Sequence, residues 1–153
     1  MTHEIVILLT EDDDGHAFLI ERNLKRCGLM NRIIRFCTGD DVLRFLLQSP
    51  SSDGAPVREP GTSYLLLLDI RLPGTDGVEV LRQIKAHPDL RRMPVIMVTT
   101  TDDPREVERC HDLGCNNYIT KPVDADAFMN AIRQLGLFLM MVQVPSMNGS
   151  DPS

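Results

Sequence analysis

Side chains able to handle a phosphoryl group fall at four separate points of this sequence: Glu11 with Asp12, then Asp69, Thr99 and Lys121. Asp69 ends the apolar run Tyr64-Leu65-Leu66-Leu67-Leu68, and the loop after it carries Pro73, Gly74 and Gly77. A carboxylate there can attack phosphorus and form an acyl phosphate, so Asp69 is read as the nucleophile. Glu11, Asp12 and Asp69, if brought together, would raise one another's pKa unless a cation sat among them. Hard oxygen donors around a small gap suit Mg²⁺, which is held by one or two carboxylates together with phosphate oxygens and water. Lys121 supplies a compact positive charge for phosphoryl oxygens. A hydroxyl from the run Thr99-Thr100-Thr101 can donate to another, and the spacing from Pro94 favours Thr99.

Bringing these residues together requires elements that end at one edge. Four consecutive leucines, Leu65 to Leu68, read as a strand covered on both faces, as at the centre of a parallel sheet. The chain alternates around it. Strands are expected at 5–10, 32–37, 94–99 and 117–120. Helices are expected from the acidic cluster to Gly28 (with Ala17, Leu19, Ile20 and Leu24 as the apolar face), at 39–48, 77–86 and 105–113, and from Asp124 onward. The Pro-, Gly- and Ser-rich stretch 49–63 is expected to be a flexible surface loop, and 87–92 a polar connection. Strands and helices in alternation predict an α/β fold: a five-stranded parallel sheet with helices on both faces. The carboxyl ends of its strands would share one edge, where ligands gather.

Composition narrows the possibilities. A chain of 153 residues with 42% apolar content can build one domain with its own core. Its net charge of −6 lacks the basic stripe of a nucleic-acid binder. The amino terminus shows no basic, apolar and cleavage-site series, which predicts a cytoplasmic protein, and no run is long enough to span a membrane. Cys27, Cys37, Cys110 and Cys115 form no C-x-x-C pair and are expected to be reduced structural thiols. Asp13 or Asp14 serves as a charge at a helix amino terminus. His16 lies close to the acidic cluster, where it could tune the cluster or bind a partner, but the favoured expectation is that it faces water from the first helical turn.

The combination T-E-D-D, L-L-D-I-R-L-P-G-T-D-G, V-I-M-V-T-T and Y-I-T-K-P resembles the receiver domain of two-component response regulators, over about residues 4 to 135. The resemblance implies the flavodoxin-like doubly wound fold and phosphorylation of Asp69 by a partner histidine kinase. It also implies Mg²⁺ bound by Glu11, Asp12, Asp69 and the backbone carbonyl of Arg71. Thr99 would be the switch hydroxyl, Tyr118 the aromatic that reports the switch, and Lys121 would precede a cis Pro122. Such a protein is not an enzyme on other substrates; it promotes only its own phosphorylation and dephosphorylation. A long loop before the central strand, H-P-D-L-R-R-M-P-V, N-Y-I-T-K and an apolar extension ending near V-Q-V-P resemble the single-domain regulators of bacterial and cyanobacterial phytochrome kinases.

Three other classes fit less well. A haloacid-dehalogenase-like phosphohydrolase would want a second acid two residues after Asp69, where Arg71 stands. A flavodoxin-type cofactor binder would cradle phosphate with amides and hydroxyls in its first loop, which here is a run of acids. A receiver that had lost its activity would lack the aspartate, lysine or acid pair, and all are present.

The expected organisation is a receiver domain at 1–135, an apolar extension at 136–145 and a disordered tail at 146–153. The extension, L-F-L-M-M-V-Q-V after Gly136, is expected either to lengthen the last helix or, as favoured here, to build a homodimer. With the chain used up by the receiver, output would be by protein contact. That means binding a target, relaying to a histidine phosphotransfer protein, or draining a kinase.

Overall fold

The computed structural model describes residues 5–48, 54–122 and 124–134, so the apolar extension and the tail lie outside the described residues. Five strands and five helices alternate: β1 (Ile5–Thr10), α1 (Asp14–Arg26), β2 (Ile33–Phe36), α2 (Gly39–Leu47), β3 (Ser63–Leu68), α3 (Gly77–Ala86), β4 (Val95–Thr99), α4 (Pro104–Asp112), β5 (Asn117–Thr120) and α5 (Ala125–Gln134). All strand pairs are parallel, in the order β2-β1-β3-β4-β5. From β1 the chain steps outward to β2, then returns to the other side of β1 for β3. The order therefore reverses between β1 and β3, and the crevice at their carboxyl ends is the topological switch point.

The leucine run behaves as its composition demands. Leu66 and Leu68 enter a core with residues of α2, α3 and α4, while Leu65 and Leu67 enter the opposite core with residues of α1 and α5. All four are fully buried. Burying one leucine contributes about 1.5–3 kcal/mol, so β3 anchors both layers at once and fixes the depth at which Asp69 emerges.

Three expectations need correction. Leu19 is 49% exposed and does not belong to the buried stripe of α1, which consists of Ala17, Ile20 and Leu24. With 3.6 residues per turn, position 19 lies about 100° from position 20, beyond the edge of a stripe centred on the other three. The described part of the loop before β3 is held rather than loose. Arg58 donates from its backbone N–H to the Phe45 carbonyl at 2.8 Å and from Nε to the Leu46 carbonyl at 2.8 Å, satisfying the orphan carbonyls at the end of α2. The Tyr64 hydroxyl accepts from the Glu59 N–H at 2.9 Å. The connection at 87–92 is not uniformly polar, because Leu90 is buried and packs into the core with Met93.

Candidate phosphoryl-accepting site

β1, β3, β4 and β5 deliver their terminal residues to one edge. Thr10 pairs in register with Leu68, which sets Glu11 beside Asp69, and the Asp69 N–H donates to the Thr10 carbonyl at 3.2 Å. Thr99 pairs with Thr120, and the Lys121 N–H donates to the Thr99 carbonyl at 2.8 Å. Carboxylate oxygens of Glu11, Asp12 and Asp69 lie within 4.8 Å of one another. Glu11 and Asp69 are buried, whereas Asp12 is exposed. The donor set fits Mg²⁺: oxygen ligands only, one of them facing solvent, from which retained water can complete the shell.

The four consecutive acids separate by role. Asp13 caps α1, its Oδ1 accepting from the His16 N–H at 2.9 Å. Asp14 pairs with Arg35 Nη1 at 2.8 Å. Only Glu11 and Asp12 remain for the site. Glu11 is fastened on both oxygens, Oε1 accepting from Lys121 Nζ and Oε2 from the Asp13 N–H at 3.1 Å. Burial lifts its carboxyl above the ordinary carboxylate range. The bonds from Lys121 and Asp13 pull the other way, and the charge on Asp69 adds to the rise.

Asp69 is also held at both oxygens. Oδ1 accepts from the Arg71 N–H at 3.2 Å and Oδ2 from Lys121 Nζ at 3.0 Å. The first contact places the Arg71 peptide next to the nucleophile. The turn that follows needs its glycine: a Cβ on Gly77 would fall 2.0 Å from the Asp69 carbonyl oxygen, a backbone atom with no room to yield. The loop is tied on its far side by the Thr75 hydroxyl, which donates to Asp40 at 2.6 Å.

The Lys121 side chain is only 8% exposed and is ion-paired to both Glu11 and Asp69. The Lys121–Pro122 peptide bond is cis. Thr99 is fully buried, and its hydroxyl has no hydrogen-bond partner among the described residues, leaving a donor available at the same edge. Tyr118 lies one strand away, its hydroxyl donating to the Thr101 carbonyl at 2.6 Å; burial pushes its phenol up to about 12.

Arg35 escaped the sequence reading, and His16 was assigned to water. Arg35 donates from Nε to the Glu11 carbonyl at 3.0 Å, pinning the loop that presents the acid pair. Its signal was an arginine within the strand I-I-R-F, whose pairing partner is Leu9, two residues before Glu11. His16, expected to face water, is only partly exposed and sets Nδ1 3.0 Å from Lys121 Nζ. Its nearness to the acidic cluster in sequence was the available sign, but a contact with Lys121 depends on where β5 ends. The four cysteines are free thiols, and burial raises those of Cys110 and Cys115 to about 11 and about 12.

Residues 7–133 match the family model described as the response regulator receiver domain. The chain is 48% identical to a response regulator receiver domain from Rhodospirillum rubrum, with a TM-score of 0.70 over 94% of this chain and 99% of that one. It is 32% identical to the bacteriophytochrome response regulator RtBRR, with a TM-score of 0.77 over 99% of this chain and 86% of that one. It is also 37% identical to the response regulator Rcp1 of Synechocystis over 116 residues, covering 76% of each chain. The Mn²⁺-bound form of Rcp1 superposes with a TM-score of 0.67 over 94% of this chain and 99% of that one.

Proposed function

The chain belongs to the response regulator receiver family of two-component signalling, and from that premise we propose that Asp69 is its phosphoacceptor, charged by a histidine kinase and read out through protein contacts. The observation that carries this reading is Lys121 Nζ seated against both Glu11 and Asp69 at the switch point, with the unpartnered Thr99 hydroxyl at the same edge.

In the proposed step a carboxylate oxygen of Asp69 bonds to phosphorus while the P–N bond to the kinase histidine breaks. The electron pair of that bond leaves with the imidazole. Glu11, Asp12, Asp69 and the Arg71 carbonyl would hold Mg²⁺, which when bound neutralises charge on the acids and on the incoming phosphoryl oxygens. Lys121 gives up a carboxylate and turns to a phosphoryl oxygen, and Thr99 donates to another. Hydrolysis of the acyl phosphate at the same site returns the protein to its resting state.

The partner we propose is a phytochrome-type histidine kinase in the cytoplasm, supported by the similarity to the bacteriophytochrome response regulator RtBRR. Among the described residues no helix is long and apolar enough to cross a membrane. Residues 136–145 are proposed to build a homodimer, supported by seven apolar residues in that stretch of ten. The phosphoryl group could pass onward to a histidine phosphotransfer protein or alter target binding; nucleic acid is not a proposed partner.

The test is the intact mass of the protein after incubation with phosphoramidate, with and without Mg²⁺, beside Asp69→Asn. One phosphoryl adduct that needs Mg²⁺ and is absent from the variant supports the assignment. An adduct that persists in Asp69→Asn places the acceptor elsewhere.

A further inference from the structure

Lys121 has three N–H groups and three acceptors: Glu11 Oε1, Asp69 Oδ2 at 3.0 Å and His16 Nδ1 at 3.0 Å. The first two are carboxylates that belong to the site. The third is an imidazole nitrogen on another element, and its role is not explained by packing, because His16 stands in the first turn of α1 and is partly exposed.

An ammonium group only donates, so the 3.0 Å contact requires His16 Nδ1 to accept. The ring must therefore be neutral, with its proton on Nε2. The residue is fixed at its backbone too, its N–H bound by the Asp13 cap. Phosphorylation makes the difference between the three acceptors matter. A cation and a phosphoryl group both lay claim to Glu11 and Asp69, so Lys121 must release at least one of those oxygens. His16 makes no such exchange, and its Nδ1 stays where α1 puts it.

We propose that His16 is a positioning residue for phosphoryl transfer: as the Nε2–H tautomer it holds one N–H of Lys121 and leaves the other two to pass between the site carboxylates and the phosphoryl oxygens. The inference rests on the reading of Lys121 as the cation that meets the phosphoryl group. It assigns the long lysine side chain a fixed pivot, which limits the rotamer freedom it would otherwise have to lose on reaching the transition state.

The experiment uses the full chain in three forms: wild type, His16→Asn and His16→Leu. An asparagine Oδ1 can occupy the place of the imidazole Nδ1, whereas leucine fills similar volume with no acceptor. Phosphorylation by phosphoramidate at saturating Mg²⁺ is followed by intact mass, and the imidazole nitrogens of uniformly ¹⁵N-labelled wild type are read by NMR, with the leucine variant identifying the His16 signals. The expected results are an Nε2–H tautomer for His16, a rate for His16→Leu lower by about three- to tenfold, as loss of one hydrogen bond predicts, and recovery to within about twofold in His16→Asn, a small residual for an imperfect isostere. An Nδ1–H tautomer, or a His16→Leu rate equal to wild type, overturns the proposal. So does an equal slowing in both variants, because it would mark a loss of packing rather than of an acceptor. If wild type takes no adduct at all, the phosphoacceptor reading has failed; the tautomer still reports separately whether the contact to Lys121 exists.

Discussion

Replacing Lys121 with methionine should make the stability of this protein depend on Mg²⁺. Methionine keeps the length and apolar stem of the lysine and removes its charge, leaving Glu11 and Asp69 facing each other, their side chains only 1% and 8% exposed. Their oxygens lie within 4.8 Å. Two unit charges at about that distance, in a medium of effective dielectric constant about 20, repel by about 3.5 kcal/mol. Protonation offers partial relief. The Glu11 carboxyl already lies above its ordinary value of 4.5, chiefly through burial, and losing the lysine removes two of the influences that hold it down. A folded-state carboxyl with a raised pKa binds more protons than the unfolded chain does. The stability this confers is complete below the unfolded pKa and is lost as pH rises through the folded one. Urea unfolding of Lys121→Met in EDTA should therefore show a loss of about 2–3 kcal/mol at mildly alkaline pH, smaller at pH 5, because the proton tempers the full repulsion. Millimolar Mg²⁺ should restore most of the loss, by replacing one buried cation with another. A loss that is unchanged by Mg²⁺, or no loss in EDTA, would refute the claim that Lys121 stands in for the metal in the resting site.

Thr99→Val removes a buried hydroxyl that lacks a partner, so the unmodified protein should melt within about 1 kcal/mol of wild type or slightly above it. The same variant, once phosphorylated, should lose the switch, seen as an unchanged Tyr118 ring environment in NMR; a clear destabilisation before phosphorylation would contradict the orphaned hydroxyl. Gly77→Ala should cost at least about 2 kcal/mol in urea unfolding, because its Cβ meets backbone atoms of Asp69 and Ile70; a neutral effect would mean that α3 can withdraw from Asp69. Spectrophotometric titration of wild type minus Tyr118→Phe should isolate a phenol ionising near 12. Since that raised pKa belongs to the folded state, Tyr118 contributes stability below about pH 10, the unfolded value, and loses it as pH climbs toward 12; a midpoint near 10 would rule out the buried phenol bonded to Thr101.

The parts of this molecule that were readable from sequence are those written locally. The leucine run declared a two-sided strand because β3 has a core on each face, and Asp69, Thr99 and Lys121 each stand at or just past a strand end where a run of apolar or β-branched residues breaks. Parallel pairing then forces such ends to a common edge, so the chemistry could be assembled before any distance was known. What could not be read depends on how separate elements meet. Whether His16 sees water or Lys121 turns on the offset of α1 from the end of β5. Whether Arg35 is an exposed strand residue or a clamp on Glu11 turns on the register of β2 against β1. Leu19 was misassigned for a similar reason: an apolar residue at the rim of a helical stripe is buried only if a neighbour reaches it.

Transmission from the site to the surface is short in this structure. Thr99 and Thr101 are two residues apart at the end of β4; the Thr99 carbonyl accepts from the Lys121 N–H, and the Thr101 carbonyl accepts from the Tyr118 hydroxyl. Lys121 and Tyr118 are in turn three residues apart along β5 and its exit. If Asp69 takes the proposed phosphoryl group and draws in the Thr99 hydroxyl, the segment that carries the Thr101 carbonyl would move, and with it the acceptor that fixes Tyr118. The same event would pull Lys121 Nζ off a carboxylate while its backbone stays bonded to Thr99. Both disturbances converge on the β4–α4 connection and the adjoining face of β5. Neither the two-sided core beneath β3 nor the helices α1 and α5 need move, because no hydrogen bond in this chain of contacts runs through them except the one from Lys121 to His16. An exchange of hydrogen-bond partners worth about one bond at each end is enough to shift a two-state surface by a factor of several, which is the scale at which a signalling contact can be gained or lost.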